Sequence, residues 1–294
     1  MPRSGPFHPA AKSAEAKALV DRALDKMLAY GRGTFATGEN NDLGMMRGRG
    51  MPFGDEDIEV DGGWSRDLVW GESDGGHFVR ANGRMLAKVG EQWKVRRSRL
   101  AEGMPAPFAL EPDLLFTVLR GLPDEVRTVV QVEAGEVRSR PVAILSLQLE
   151  AEEALEFVDA GVVPEAGGGF GTPRFLLRLG GRAMPRAEYT VYLALHVDAE
   201  NADLLRFSAK VIENTKTGGG GMVTVVTSGG GDEEPEEEVE TPAETGPLQW
   251  KKGFPVKKPG KDESVMTFRA DFKKLGLAEP PELDDKAKTL LRVR

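Results

Sequence analysis

The sequence predicts an α+β protein built around a large antiparallel β-sheet. Three observations carry that expectation. Short alternating runs broken by turn residues crowd residues 64–98, which describes a meander of neighbouring strands. Two long apolar runs, "AEYTVYLALHVDA" and "DLLRFSAKVIEN", meet at the polar turn "DAENAD" and read as an antiparallel hairpin. Helical spacing of apolar residues is confined to a few segments before, between and after these strands.

Residues 13–30 come first and predict an amphipathic helix. Ala16, Leu19, Val20, Ala23, Leu24, Met27 and Leu28 recur at three–four spacing, Ser13 is the expected N-cap, and Gly31 and Gly33 end the helix. Residues 34–62 are rich in glycine and show no clear period. "GMMRGRGMPFG" within them reads as a loop whose methionines tuck onto the core. The meander follows, with "RDLVWGE", "GHFVRANG", "RMLAKVG" and "EQWKVRRS" as its strands. Asn82-Gly83 is its strongest turn signal, because a tight two-residue hairpin turn needs positive φ at both central positions.

"FALEPDLLFTVLRGLPDEV" predicts a short helix with Pro112 in its first turn and Gly121 at its end. Leu114, Leu115, Val118 and Leu119 are its expected apolar face. Two strands are expected within 126–149, then a helix over 151–160 stopped by Gly161. "RFLLRLG" predicts another strand after a glycine-rich patch. In the strand at 189–197, one face carries Tyr189, Val191, Leu193, Leu195 and Val197, and the other carries Thr190, Tyr192, Ala194 and His196. One face is wholly apolar and the other half apolar, as in a strand buried against helices or one lining an apolar cavity. "MVTVVT" predicts an edge strand, "SVMTFRAD" a last strand, and "PELDDKAKTLLRVR" a closing helix with Leu283, Ala287, Leu290 and Leu291 inward.

The organisation expected is a flexible N-terminus over 1–12, a main α+β domain over 13–228 and an acidic flexible insertion over 229–247. A C-terminal strand and helix over 248–294 complete the same domain. The chain has 294 residues, 40% of them hydrophobic, which supports a sizeable core. No run approaches the apolar length of a membrane-spanning helix. The formal charge is -8, and the acids Asp232, Glu233, Glu234, Glu236, Glu237, Glu238, Glu240 and Glu244 account for all of it. The remainder is neutral, so the charge pattern offers nucleic acid no broad basic surface. The acidic run itself suits docking of a basic protein partner. With no cysteine, thiolate catalysis, zinc–cysteine sites and disulfides are excluded on this chain. The N-terminus lacks the apolar stretch of a secretory signal, so an envelope location requires a signal already removed, and the alternative is the cytoplasm.

The chemical motifs fail on spacing. "TGGGGMVT" lacks the lysine of a phosphate-binding loop and leads into a strand, and "GRGTFATG" and "GRGMPFG" miss the dinucleotide-binding pattern. "GENNDLG" lacks the distal glutamate of a calcium loop, and the acidic run has no turn glycine to converge its oxygens. No metal or cofactor is expected. His77 lies near Asp74 and His196 near Asp198, but no serine elbow accompanies either, so no catalytic residue is assigned. The pairs Asp124-Glu125, Glu152-Glu153 and Asp284-Asp285 sit at expected helix starts, where acids complement the macrodipole. Trp64, Trp70 and Trp93 fall in the meander and read as core or edge-capping residues.

An N-terminal helix, the meander in "HFVRANGRMLAKVGEQWKV", the short helix in "EPDLLFTVL" and the late hairpin "YTVYLALHVDAENADLLRFSAKV" occur in that order. In this order and in these segments the chain resembles the LolA/LppX-type lipoprotein carrier superfamily over about residues 13–215. The resemblance does not extend to the glycine-rich strand, the acidic run or residues 250–294. It implies an open half-barrel, a curved antiparallel sheet with helices packed on its concave face. The apolar space between them would receive acyl chains of a lipid or lipoprotein in the periplasm or cell envelope of a bacterium, without catalysis. Facing apolar strand positions and the short covering helix nominate Leu115, Val118, Leu145, Leu147, Tyr192, Leu193, Leu195 and Phe207 as lining. The alternative expectation is a scaffold protein with a filled core that uses the acidic arm to dock a partner.

Overall fold

A computed structural model describes residues 11–42, 58–73, 76–95, 110–163, 188–214, 249–256 and 263–293. The methionine-rich loop at 44–54, the strands expected at 174–180 and 222–227, and the acidic run lie outside these residues.

Helix α1 runs Ala11–Tyr30 and stops at Gly31, whose φ of +58° reverses the chain. Ser13 therefore lies inside the helix and is not its cap. The glycine-rich stretch that follows is not a loop throughout. It supplies two strands, β1 (Arg32–Asp42) and β2 (Ile58–Ser65), paired antiparallel. Glycine is tolerated there because neighbouring aromatic rings need the room. Phe35 lies against Gly62, and a Cβ on Gly62 would fall 2.8 Å from its ring and 2.4 Å from the backbone carbonyl oxygen of Trp70. The predicted meander continues as β3 (Leu68–Ser73), β4 (Gly76–Ala81), β5 (Arg84–Val89) and β6 (Gln92–Val95). Asn82 and Gly83, at φ +50° and +70°, make the tight turn between β4 and β5.

Helix α2 spans Pro112–Gly121 and helix α3 spans Ala151–Asp159, with β7 (Gln131–Val137) and β8 (Arg140–Glu150) between them. On α2 the buried face is Pro112, Leu115, Phe116 and Leu119. Leu114 points outward at 37% exposure, so the apolar face is rotated from the predicted one. Glu152 and Glu153 do occupy the first turn of α3. Asp124 and Glu125 sit instead in a turn after α2, where Asp124 pairs with Arg127 and Lys17. The long hairpin is β9 (Glu188–Asp198) and β10 (Leu204–Asn214). A two-residue hairpin, β11 (Trp250–Lys251) and β12 (Phe254–Pro255), precedes β13 (Glu263–Lys273) and the closing helix α4 (Asp285–Leu291).

Among the described residues, eleven strands form one open antiparallel sheet in the order β6-β5-β4-β3-β2-β1-β13-β10-β9-β8-β7. Strand β13 is not a terminal addition at an edge. It pairs with β1 through Phe35↔Phe272 and with β10 through Phe207↔Ala270, and so joins the N-terminal meander to the later strands.

Helices α1, α2 and α3 bury one face of this sheet, here the inner face, in a single large core. Val20, Ala23, Leu24 and Met27 of α1 are 0–1% exposed in it. The rings of Trp64, Phe116 and Phe272 meet edge to face, with centroids 5.3–6.3 Å apart. Helix α4 packs on a separate cluster of Leu68, Val79, Ala81 and Leu86, which alternation places on the outer face of the meander. Ala287 and Leu291 face that cluster, with Leu283 and Leu290 partly buried beside them. The Asp284 side chain caps α4 by accepting from the Ala287 backbone N–H at 2.6 Å. Asn82 and Arg84 donate to the carbonyls of Leu291 and Leu290 at its other end.

Candidate ligand-binding site

The candidate site is the apolar layer between the inner sheet face and the helices. Alternation brings Leu145, Leu147 and Leu149 of β8 to that face, beside Val191, Leu193, Leu195 and Val197 of β9. Leu145 stands opposite Leu195, and Leu195 opposite Phe207, so the three residues form a continuous row across β8, β9 and β10. Leu115 and Phe116 approach from α2, and Val118 packs at the border of the core. Six of the residues nominated from the sequence, Leu115, Leu145, Leu147, Leu193, Leu195 and Phe207, are at most 1% exposed. In this conformation they fill the layer themselves.

Tyr192 does not belong with them. It lies on the outer face, where it packs with Ile212, Val265 and Trp250, its ring 6.1 Å from that of Trp250. Its neighbours in sequence, Val191 and Leu193, point inward, and the two-residue period of a strand forbids Tyr192 from joining them. The alternation was visible in the sequence. Which face the helices cover was not.

The helix layer is tied down by polar contacts along its rim. Lys26 of α1 pairs with Asp203 at 2.7 Å and donates to the Asn201 carbonyl at 2.6 Å, next to the turn between β9 and β10. Tyr30 donates to Asp203 at 3.0 Å. The hydrogen bond to Asp203 is the main reason the Lys26 ammonium is held above its ordinary pKa. Between α1 and α2, Arg120 pairs with Asp25 at 2.8 Å, and buried Arg127 pairs with Asp21 at 3.1 Å. These residues carry no apolar periodicity, so the sequence offered no signal for them.

A cleft of about 270 Å³ opens at the rim beside the start of α2. It is lined by Trp64, Arg66, Arg80, Glu111 and Asp113 among others, and Arg80 and Glu111 pair across it at 2.7 Å. Burial pushes the Asp113 carboxyl upward, opposed by the Trp64 indole and by Arg66. The cleft is polar and does not continue the apolar row.

The two histidines among the described residues lie in different surroundings. His77 is exposed, with Glu72 at 3.7 Å, and Asp74 lies outside the described residues. His196 is buried, and burial together with Arg206 pulls its pKa down to about 4. Asp198 does not orient it. That carboxylate accepts the backbone N–H groups of Glu200 and Asn201 and pairs with Arg140.

No protein-family model matches the sequence, and no curated protein matches it. Among solved structures, the chain is similar to LprF from Mycobacterium bovis, described as "Crystal structure of LprF from Mycobacterium bovis". The alignment covers 94% of this chain and 98% of that chain, at 13% sequence identity and a TM-score of 0.39. At that identity and score the similarity carries no functional conclusion.

Proposed function

We propose that this chain is a non-enzymatic binding protein of the bacterial cell envelope. Its ligand is an apolar chain, of a lipid or a lipoprotein, taken up between the inner sheet face and helices α1–α3. The observation that supports this reading is the row Leu145–Leu195–Phe207 with its apolar neighbours. It is a continuous apolar surface covered by helices rather than by a second sheet. The helices carry their own backbone hydrogen bonds, so they can part from the sheet without exposing unpaired strand groups. Leu115, Val118, Leu145, Leu147, Leu193, Leu195 and Phe207 are the proposed lining. Each methylene of a bound chain removed from water contributes about 0.8 kcal/mol, and no polar group is needed to hold it.

The burial of six of these side chains, to 1% exposure or less, favours a second reading, a scaffold protein with a filled core. Native mass spectrometry of freshly purified protein separates the two, with a solvent extract and a fluorescent fatty-acid titration run in parallel. Stoichiometric lipid, or saturable uptake of the probe, is expected. An apo mass combined with no probe uptake overturns the binding reading and leaves the filled core. Leu195→Trp should reduce uptake in a protein that still shows a cooperative melt. Undiminished uptake in that folded variant would remove Leu195 from the lining.

A further inference from the structure

The outer face of the sheet carries a group of arginines that neither the inner core nor the helix layer uses. Arg206 of β10 stands directly opposite Asp271 of β13 and binds it through two nitrogens, at 2.6 and 3.2 Å. Arg269 lies two residues before Asp271, hence on the same face, and its Nε is 3.4 Å from the same carboxylate. Arg138 arrives from the turn between β7 and β8. It donates to the carbonyl of Phe272 at 2.6 Å, beside Asp271. That reach is possible because the β7–β8 hairpin packs Val137 and Val142 with Leu205 of β10. The turn is an unusual one. Arg138 and Ser139 both adopt positive φ, +52° and +60°, without a glycine between them. A conformation that disfavours ordinary side chains is kept at the residue that reaches the cluster.

Two guanidinium groups therefore pair with one carboxylate, and a third, that of Arg138, is bonded to the carbonyl of the next residue. Arg140, close by, is already engaged by Asp198 and Asp203. The like charges are felt. Arg138 is shifted below its usual range first by burial, with Asp271 opposing the shift and Arg140 and Arg206 adding to it. Asp271 spends its oxygens on Arg206 and Arg269, and cannot neutralise all three cations. The side chain of Arg269 is 53% exposed, so its guanidinium presents N–H donors to solvent, and the Arg138 residue is exposed beside it although its guanidinium is partly buried against Phe272.

We infer that Arg138, Arg206 and Arg269 form a binding site on the outer face for a phosphate-type oxyanion. Planar guanidinium forks match the oxygen spacing of phosphate, and the surplus positive charge favours a group with more than one anionic oxygen. Such a group would come from a phosphorylated solute or from a phospholipid headgroup at a membrane surface. The site stands apart from the proposed apolar layer and does not depend on it.

The test uses the full chain. Isothermal titration with inorganic phosphate forms one arm. Co-sedimentation with phosphatidylcholine vesicles, with and without phosphatidylglycerol, forms the other. The double variant Arg138→Ala/Arg269→Ala leaves the Arg206–Asp271 pair between β10 and β13 in place. Arg120→Ala removes a cation from the helix side as the control. We expect the wild type to bind in at least one arm, the double variant to bind about tenfold more weakly or worse, and the control to be unchanged. Binding of inorganic phosphate alone assigns the site to a soluble phosphate. Binding of the anionic vesicles assigns it to a headgroup. No binding in either arm overturns the site, as does an equal loss in the control, provided all three proteins melt cooperatively.

Discussion

The indole of Trp64 occupies the space that a side chain at Gly33 would need. A Cβ built on Gly33 falls 2.2 Å from the ring, and the two residues are directly opposed on β1 and β2. The ring then lies in the core against Phe35, Phe116 and Phe272. Gly33→Ala should therefore destabilise the protein by about 1–3 kcal/mol, as overpacking of a filled core does. Chemical denaturation measures it. A double-mutant cycle with Trp64→Leu should recover much of the loss, because the smaller side chain vacates the collision. Additive losses would show that the strain lies elsewhere.

Helix α2 offers a paired comparison. Leu115 is 0% exposed and Leu114 is 37% exposed, one residue apart. Leu115→Ala should cost about 2–5 kcal/mol through lost burial and the cavity left behind. Leu114→Ala should stay within about 0.5 kcal/mol of wild type, as surface substitutions do. Urea melts of the two variants decide between this face and the predicted one, which placed both residues inward.

Stability should depend on His196 in weakly acidic solution. Its pKa is about 4 in the fold against an ordinary 6.5, because burial and Arg206 disfavour the charged ring. A base with a lowered pKa resists protonation in the folded state while the unfolded chain takes the proton readily. Its contribution is fully present above pH 6.5 and declines as pH falls toward about 4. The shift corresponds to a loss on the order of 3 kcal/mol across that window. His196→Asn, which cannot titrate there, should show a flatter pH profile of unfolding free energy. Parallel profiles for the two proteins would contradict the assignment.

The Asp284 cap can be tested in the same way. Asp284→Ala removes the acceptor for the Ala287 N–H and should cost about 1 kcal/mol. Asp284→Asn retains an acceptor and should lose less. Hydrogen exchange should report the effect in α4 before it reaches the strands of the inner core.

Local chemistry determined much of this chain without help from the fold. Asn82-Gly83 specified a tight hairpin because both positions accept positive φ, and β4 and β5 pair around it. Gly161 ended α3, and apolar alternation separated the two faces of β9 correctly. These signals act over a few residues, so they can be read in sequence order. The tertiary structure alone decided which face of β9 the helices cover, and that choice put Leu193 and Leu195 inside and Tyr192 outside. It decided that β13 joins β1 to β10, because strand pairing is chosen by register and burial between segments far apart in the chain. It turned glycine-rich β1 and β2 into strands, since the rings that need Gly33 and Gly62 come from the partner strand. It also gathered Arg138, Arg206 and Arg269 around Asp271 from three separate segments, and electrostatic neighbours of that kind leave no period in a sequence.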